Sequence, residues 1–88
     1  MLKISIISDS DQAIQFQLEG KLIGPWVEEL QRLSDEALSH QKAVGLDLER
    51  VTFVDSRGVA LLRDLARRQV SQVNCSQFVT QQLKEVAR

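Results

Sequence analysis

The spacing of apolar residues changes period several times along the chain, and each change marks an element. Leu2, Ile4 and Ile6 recur at every second position, as do Ile14, Phe16 and Leu18, so each trio shares one face of a strand. Ser8, Asp9, Ser10 and Asp11 between them are turn-forming residues, and the two strands are expected to pair as a hairpin. Gly24 and Pro25 then open a helix, proline being suited to the first helical position because its missing N–H would have no partner there anyway. Glu28 and Glu29 fall in the early turns, where negative charge suits the dipole. Trp26, Leu30, Leu33 and Ala37 form one stripe with Val27 and Leu38 at its edge, and the helix should end near Ser39, His40 and Gln41. Trp26 on that stripe is expected to anchor the core.

The most informative segment is central. Val44, Leu46 and Leu48 alternate with Gly45 and Asp47 as a strand with one buried face should, and the extended run continues to Val54. From Gly58 onward Leu61, Leu62, Leu65 and Ala66 take the spacing of one helix face. Asp55 and Ser56 lie at the junction, where a helix leaves its first backbone N–H groups without partners and short polar side chains are favoured. They are expected at the exposed amino-terminal end of this helix, with Gly58 close against the sheet. A short fourth strand is expected at about residues 70–74, then a helix from near Ser76 carrying Val79, Leu83 and Val86 on one side. The order ββαβαβα, with strands and helices alternating after the hairpin, implies parallel crossovers. The expected fold is therefore α/β: a small mixed sheet of about four strands packed against helices, in one domain spanning residues 1–88.

Composition narrows the function classes. The 88 residues suffice for one core, and the 43% hydrophobic and 26% charged fractions are ordinary for a globular protein. A net charge of -1 gives no general attraction to nucleic acid or anionic membrane. No apolar run approaches the roughly 20 residues a spanning helix needs, so direct membrane insertion is not expected. The amino terminus alternates like a strand and lacks the features of a signal peptide. The single cysteine, Cys75, excludes an internal disulfide and a multi-cysteine metal site, and the chain reads as intracellular.

Catalysis finds little support. His40 is the lone histidine and sits in a polar stretch with no nucleophile or orienting acid that the sequence places beside it. Cys75 reads as a packing residue, with a reactive thiol as the alternative if a following helix lowers its pKa. Glycine spacing fits no phosphate-cradling loop, and the spacing of histidine, cysteine and acids fits no metal site, so neither cofactor nor metal is expected. One surface remains. The loop at residues 52–56, including Thr52, Asp55 and Ser56, leads into a helix whose outer face carries Arg57, Arg63, Asp64, Arg67 and Arg68. Polar groups, free backbone N–H groups and a charged helix face converge there, as a protein-docking surface for an acidic partner would require. Without interleaved aromatic side chains the arginines make no case for nucleic acid.

The central segment also resembles a family. Leu46-Asp47-Leu48 followed by Val51-Thr52-Phe53-Val54-Asp55-Ser56-Arg57-Gly58 resembles the strand-loop-helix signature of STAS domains, which include anti-sigma factor antagonists. Leu18-Glu19-Gly20-Lys21-Leu22 resembles that family's motif at the end of its second strand. The resemblance implies a cytoplasmic, non-catalytic regulatory module that binds an anti-sigma factor with serine-kinase activity. It also implies that Ser56 aligns with the serine phosphorylated in the antagonist branch. The alternative it implies is an accessory subunit clamped on the ATPase of an ABC transporter of the lipid-trafficking kind, with no phosphorylation cycle. Arg57 departs from the small residue that antagonists often carry after that serine.

Overall fold

The structure, a computed structural model, describes residues 2–75, 77 and 79–81. Strands β1 (Leu2–Asp9) and β2 (Ala13–Leu22) are followed by helix α1 (Pro25–Ser39), strand β3 (Ala43–Val54), helix α2 (Ser56–Arg67) and strand β4 (Ser71–Val73). The four strands lie in the order β1-β2-β3-β4. β1 pairs antiparallel with β2, while β2 with β3 and β3 with β4 are parallel, each parallel step being bridged by a helix. This is the mixed sheet that the alternation of elements predicts. Residues 77 and 79–81 are helical and Val79 is buried; the predicted Leu83 and Val86 positions lie outside the described residues.

The core occupies one face of the sheet. Register sets Ile14 beside Val44 and Phe16 beside Leu46, and all four are buried, together with Leu18, Leu22 and Leu48. Gln15, Gln17, Gly45 and Asp47 alternate onto the other face and stay partly exposed. α1 covers the apolar face with Val27, Leu30 and Ala37, and α2 with Val59, Leu61, Leu62 and Leu65. Fully burying each of these valine and leucine side chains stabilises the fold by roughly 1.5–3 kcal/mol.

Three expectations need correction. Ile6 does not join Leu2 in the core: it is 60% exposed, because β1 is an edge strand and an open cavity, not a packed helix, lies over its face at this point. The buried stripe of α1 is centred on Val27, Leu30, Ser34 and Ala37, with Trp26 and Leu33 only partly buried, so the helix is rotated by about one residue from the pattern of its largest side chains. Trp26 packs against the core without being enclosed by it. The third concerns the charge on α2 and belongs to the site.

Candidate docking site at the start of α2

Asp55 organises this end of the molecule. Its backbone is extended, its position is the N-cap of α2, and its Oδ1 accepts from the Gly58 N–H at 2.7 Å. Its Oδ2 accepts from the Gly24 N–H at 3.0 Å, in the turn that opens α1. Its own N–H donates to the Leu22 carbonyl at 3.2 Å, and its carbonyl accepts from Val59 N–H at 2.9 Å. One residue thus ties the ends of β2 and β3, through its backbone, to the starts of both helices, through its half-buried carboxylate. Gly24 takes φ +53°, a conformation that glycine adopts without steric cost.

Gly58 fixes how closely α2 approaches the sheet. A Cβ on it would stand 2.6 Å from Val54 Cγ1 and 2.8 Å from the Leu22 carbonyl oxygen, so only a residue without a side chain lets the helix sit there. The expected close packing of Gly58 is therefore observed, as is the exposed position of Ser56 at the first residue of α2. Thr52 is exposed on β3, and its hydroxyl donates to the Gly20 carbonyl at 3.2 Å. Phe53 is 40% exposed beside it. Register shifts between β2 and β3 break the strict alternation, so that Val51 and Val54 are buried while Thr52 and Phe53 are both exposed.

The arginines of α2 do not form the unbalanced basic face that their spacing predicts. Arg57 pairs with Glu28 of α1 at 3.1 Å, and Arg68 pairs with Asp35 at 2.6 Å and with Asp64 at 3.7 Å. The hydrogen bond that Arg68 donates to the Asp35 carboxylate raises the Arg68 pKa further. Arg63 is half-buried and engaged, and Arg67 is exposed. Glu28 and Asp35 come from α1, far away in sequence, which is why a reading of α2 alone overstated its charge. Exposed pairs of this kind contribute about 0–1 kcal/mol each, so their effect is on surface charge more than on stability. Between the two helices runs a groove of about 320 Å³ lined by Val27, Gln31, Arg57, Ala60, Leu61 and Asp64. The sequence marks Gly24 and Glu28 only as residues of a helix start, and neither their links to Asp55 and Arg57 nor the exposure of Phe53 is signalled locally.

His40 and Cys75 do not take part. His40 lies beyond the last turn of α1, its Nδ1 at 2.8 Å from the Glu36 carbonyl oxygen, at the other end of that helix from Asp55. Cys75 is partly buried against the core. Among the described residues no group of three or more histidine, cysteine, aspartate or glutamate side chains is placed to hold a metal ion. No helix among them is long and apolar enough to cross a membrane.

A parallel βαβ core with an antiparallel strand added at one edge, and a capped helix start beside its last crossover, defines an α/β domain of the STAS kind. The family model described as "Mlab, STAS domain" matches residues 6–86, and the chain belongs to that family. Its fold is similar to that of the anti-sigma factor antagonist SpoIIAA in its unphosphorylated form, at 21% identity and a TM-score of 0.62. That match covers 97% of this chain and 66% of the antagonist, slightly under two thirds of its length. An antisigma-factor antagonist STAS domain from Rhodobacter sphaeroides is similar at 21% identity and a TM-score of 0.63, over 86% of this chain and 92% of that one. A Shewanella loihica PV-4 protein with a SpoIIAA-like fold matches at 17% identity and a TM-score of 0.59, over 88% of this chain and 69% of that one. No curated protein sequence matches the chain significantly.

Proposed function

We propose that the chain is a cytoplasmic, non-catalytic regulatory module that binds a protein partner through residues 52–56 and the outer face of α2. In the reading we favour, the partner is an anti-sigma factor with serine-kinase activity, and phosphorylation of Ser56 releases it. The observation that carries this is the exposed Ser56 hydroxyl on a support that Asp55 holds rigid from three directions. Two of the similar structures are themselves described as anti-sigma factor antagonists, which supports carrying that role over.

The electrostatics suit a switch. Asp55 precedes Ser56, and the Arg57 that follows it is neutralised by Glu28, so the local charge is about −1. A phosphate adds close to two further negative charges, bringing the patch to about −3. That is enough to repel a neutral or acidic docking surface without any change of fold. The same charges favour a second reading. The Asp55 carboxylate and the Arg57–Glu28 ion pair next to Ser56 disfavour a phosphate there, and they suit a permanent contact such as an accessory subunit makes with a transporter ATPase. Co-purification with the products of neighbouring genes, with mass spectrometry of Ser56 after incubation with any kinase among them and ATP, decides between the two. Phosphate on Ser56 together with release of the kinase supports the favoured reading; a stable ATPase complex with unmodified Ser56 supports the second.

A further inference from the structure

The two edges of the sheet are unequal. β4 is blunted by its length of 3 residues, whereas β1 runs for 8 residues with its outer side unpaired among the described residues. Natural edge strands are usually protected by shortness, proline, several charges or a bulge. Residues 2–6 of β1 have none of these except Lys3, and the bulge comes only after Ile6. Lys3 is aligned with Glu19 on β2, so opposite charges flank this part of the sheet and no unbalanced charge field guards it. Exposed large apolar side chains concentrate here too, with Ile6 60% and Ile7 51% accessible. Ile6 also forms one wall of an open cavity of about 370 Å³ whose floor includes Ile14, Phe16, Leu33 and Ala37.

We propose that this edge is a self-association surface: a second copy of the chain pairs its β1 antiparallel to the first, about a two-fold axis through Ile4. The inference is independent of the reading of Ser56. The register follows from charge and side-chain pattern. Centred on Ile4, the pairing sets Ile4 against Ile4, and Leu2 of each copy against Ile6 of the other, so one face of the junction is wholly apolar. On the opposite face Lys3 meets Ser5, with no like charges in contact. Centring on Lys3 would put two ammonium groups directly opposite each other, which is destabilising. Centring on Ser5 or Ile6 would draw the bulged Ile7 into the ladder. Only the Ile4 register keeps charge and backbone geometry compatible over residues 2–6. The four-stranded sheets then become one continuous sheet, and Leu2 of the second copy lies against the exposed Ile6 at the mouth of the cavity.

Sedimentation velocity on the whole chain between about 10 µM and 1 mM tests this. A monomer–dimer equilibrium is expected, weakened at least about tenfold by Ile6→Lys, a substitution at a position exposed enough to leave the fold intact by circular dichroism. In a Cys75→Ser background, Ile4→Cys is expected to form a disulfide-linked dimer on mild oxidation, since directly opposed residues in antiparallel strands lie about 4.5–5.5 Å apart at Cα. Ser5→Cys in the same background is expected not to, its two copies being about 8 Å apart in this register. A chain that stays monomeric throughout the range overturns the proposal, including the case in which the edge serves a different protein. So does a dimer that Ile6→Lys leaves unchanged, or a Ser5→Cys cross-link as efficient as that at Ile4.

Discussion

Gly58→Ala probes the contact that sets the position of α2, and its cost can be worked from the structure. The added methyl would lie 2.6 Å from Val54 Cγ1, 2.8 Å from the Leu22 carbonyl oxygen and 3.2 Å from Leu22 Cγ. A valine methyl can swing aside at a cost of about 0.5–1.5 kcal/mol. The Leu22 carbonyl cannot, because it belongs to the last residue of β2 and also accepts the Asp55 N–H. Relief must come from moving the start of α2, which strains the two hydrogen bonds of the Asp55 carboxylate. Overpacking of this kind costs about 1–3 kcal/mol. Alanine returns at most about 1 kcal/mol through its better helix propensity. The net expectation is a loss of about 1–2 kcal/mol, read as a lower urea midpoint at unchanged slope and a melting temperature lower by on the order of 10 °C. Gly45→Ala is the control. Its Cβ would meet nothing closer than Gln15 Cγ at 3.6 Å, so stability should stay within about 0.5 kcal/mol of the unsubstituted chain. Equal stability of Gly58→Ala and the unsubstituted chain would refute the close approach and the reasoning built on it.

Asp55→Ala removes a helix cap and the tether to Gly24 together, and a loss of about 2 kcal/mol is expected in chemical denaturation; Asp55→Asn, which keeps one acceptor oxygen, should lose about half as much. Ser34 is fully buried in α1 and its hydroxyl has no hydrogen-bond partner among the described residues, so Ser34→Ala should leave stability unchanged or raise it by up to about 1 kcal/mol, and a clear loss would point to a partner for the hydroxyl. The hydrogen bond from Arg32 holds the Glu29 carboxyl below its ordinary range. This group therefore adds stability above its unfolded pKa of about 4.3, which is lost as pH falls through the lower folded value. Glu29→Gln should flatten that limb of the stability–pH profile slightly, and high salt should suppress the difference.

The fold was legible because most of its elements carry one clean period. Val44, Leu46 and Leu48 alternate without interruption, and Leu61, Leu62 and Leu65 fall on one helix face, so both directed the chain correctly to the core. The junction was legible for a different reason: Asp55, Ser56 and Gly58 are residue types whose backbone chemistry suits a helix start and a close approach. Ile6 misled because alternation reports which side chains share a face, not whether a neighbouring element covers that face. Thr52 and Phe53 resisted the same logic, since the irregular pairing of β2 with β3 changes which residues face inward. The charge on α2 was misread because Glu28 and Asp35 reach Arg57 and Arg68 from another helix, and no local pattern encodes that pairing.

The central claim is that the start of α2 is the surface a protein partner reads. The most direct measurement is calorimetric titration of the co-purifying gene product into the unsubstituted chain, Ser56→Ala and Ser56→Asp, each with its fold checked by circular dichroism. Ser56→Asp adds negative charge beside Asp55 while leaving Val54, Gly58 and Leu61 in place. Its affinity is predicted to fall at least about tenfold, roughly 1.4 kcal/mol, with Ser56→Ala close to the unsubstituted chain. Equal affinity for all three proteins would contradict the account and place the interface elsewhere on the molecule.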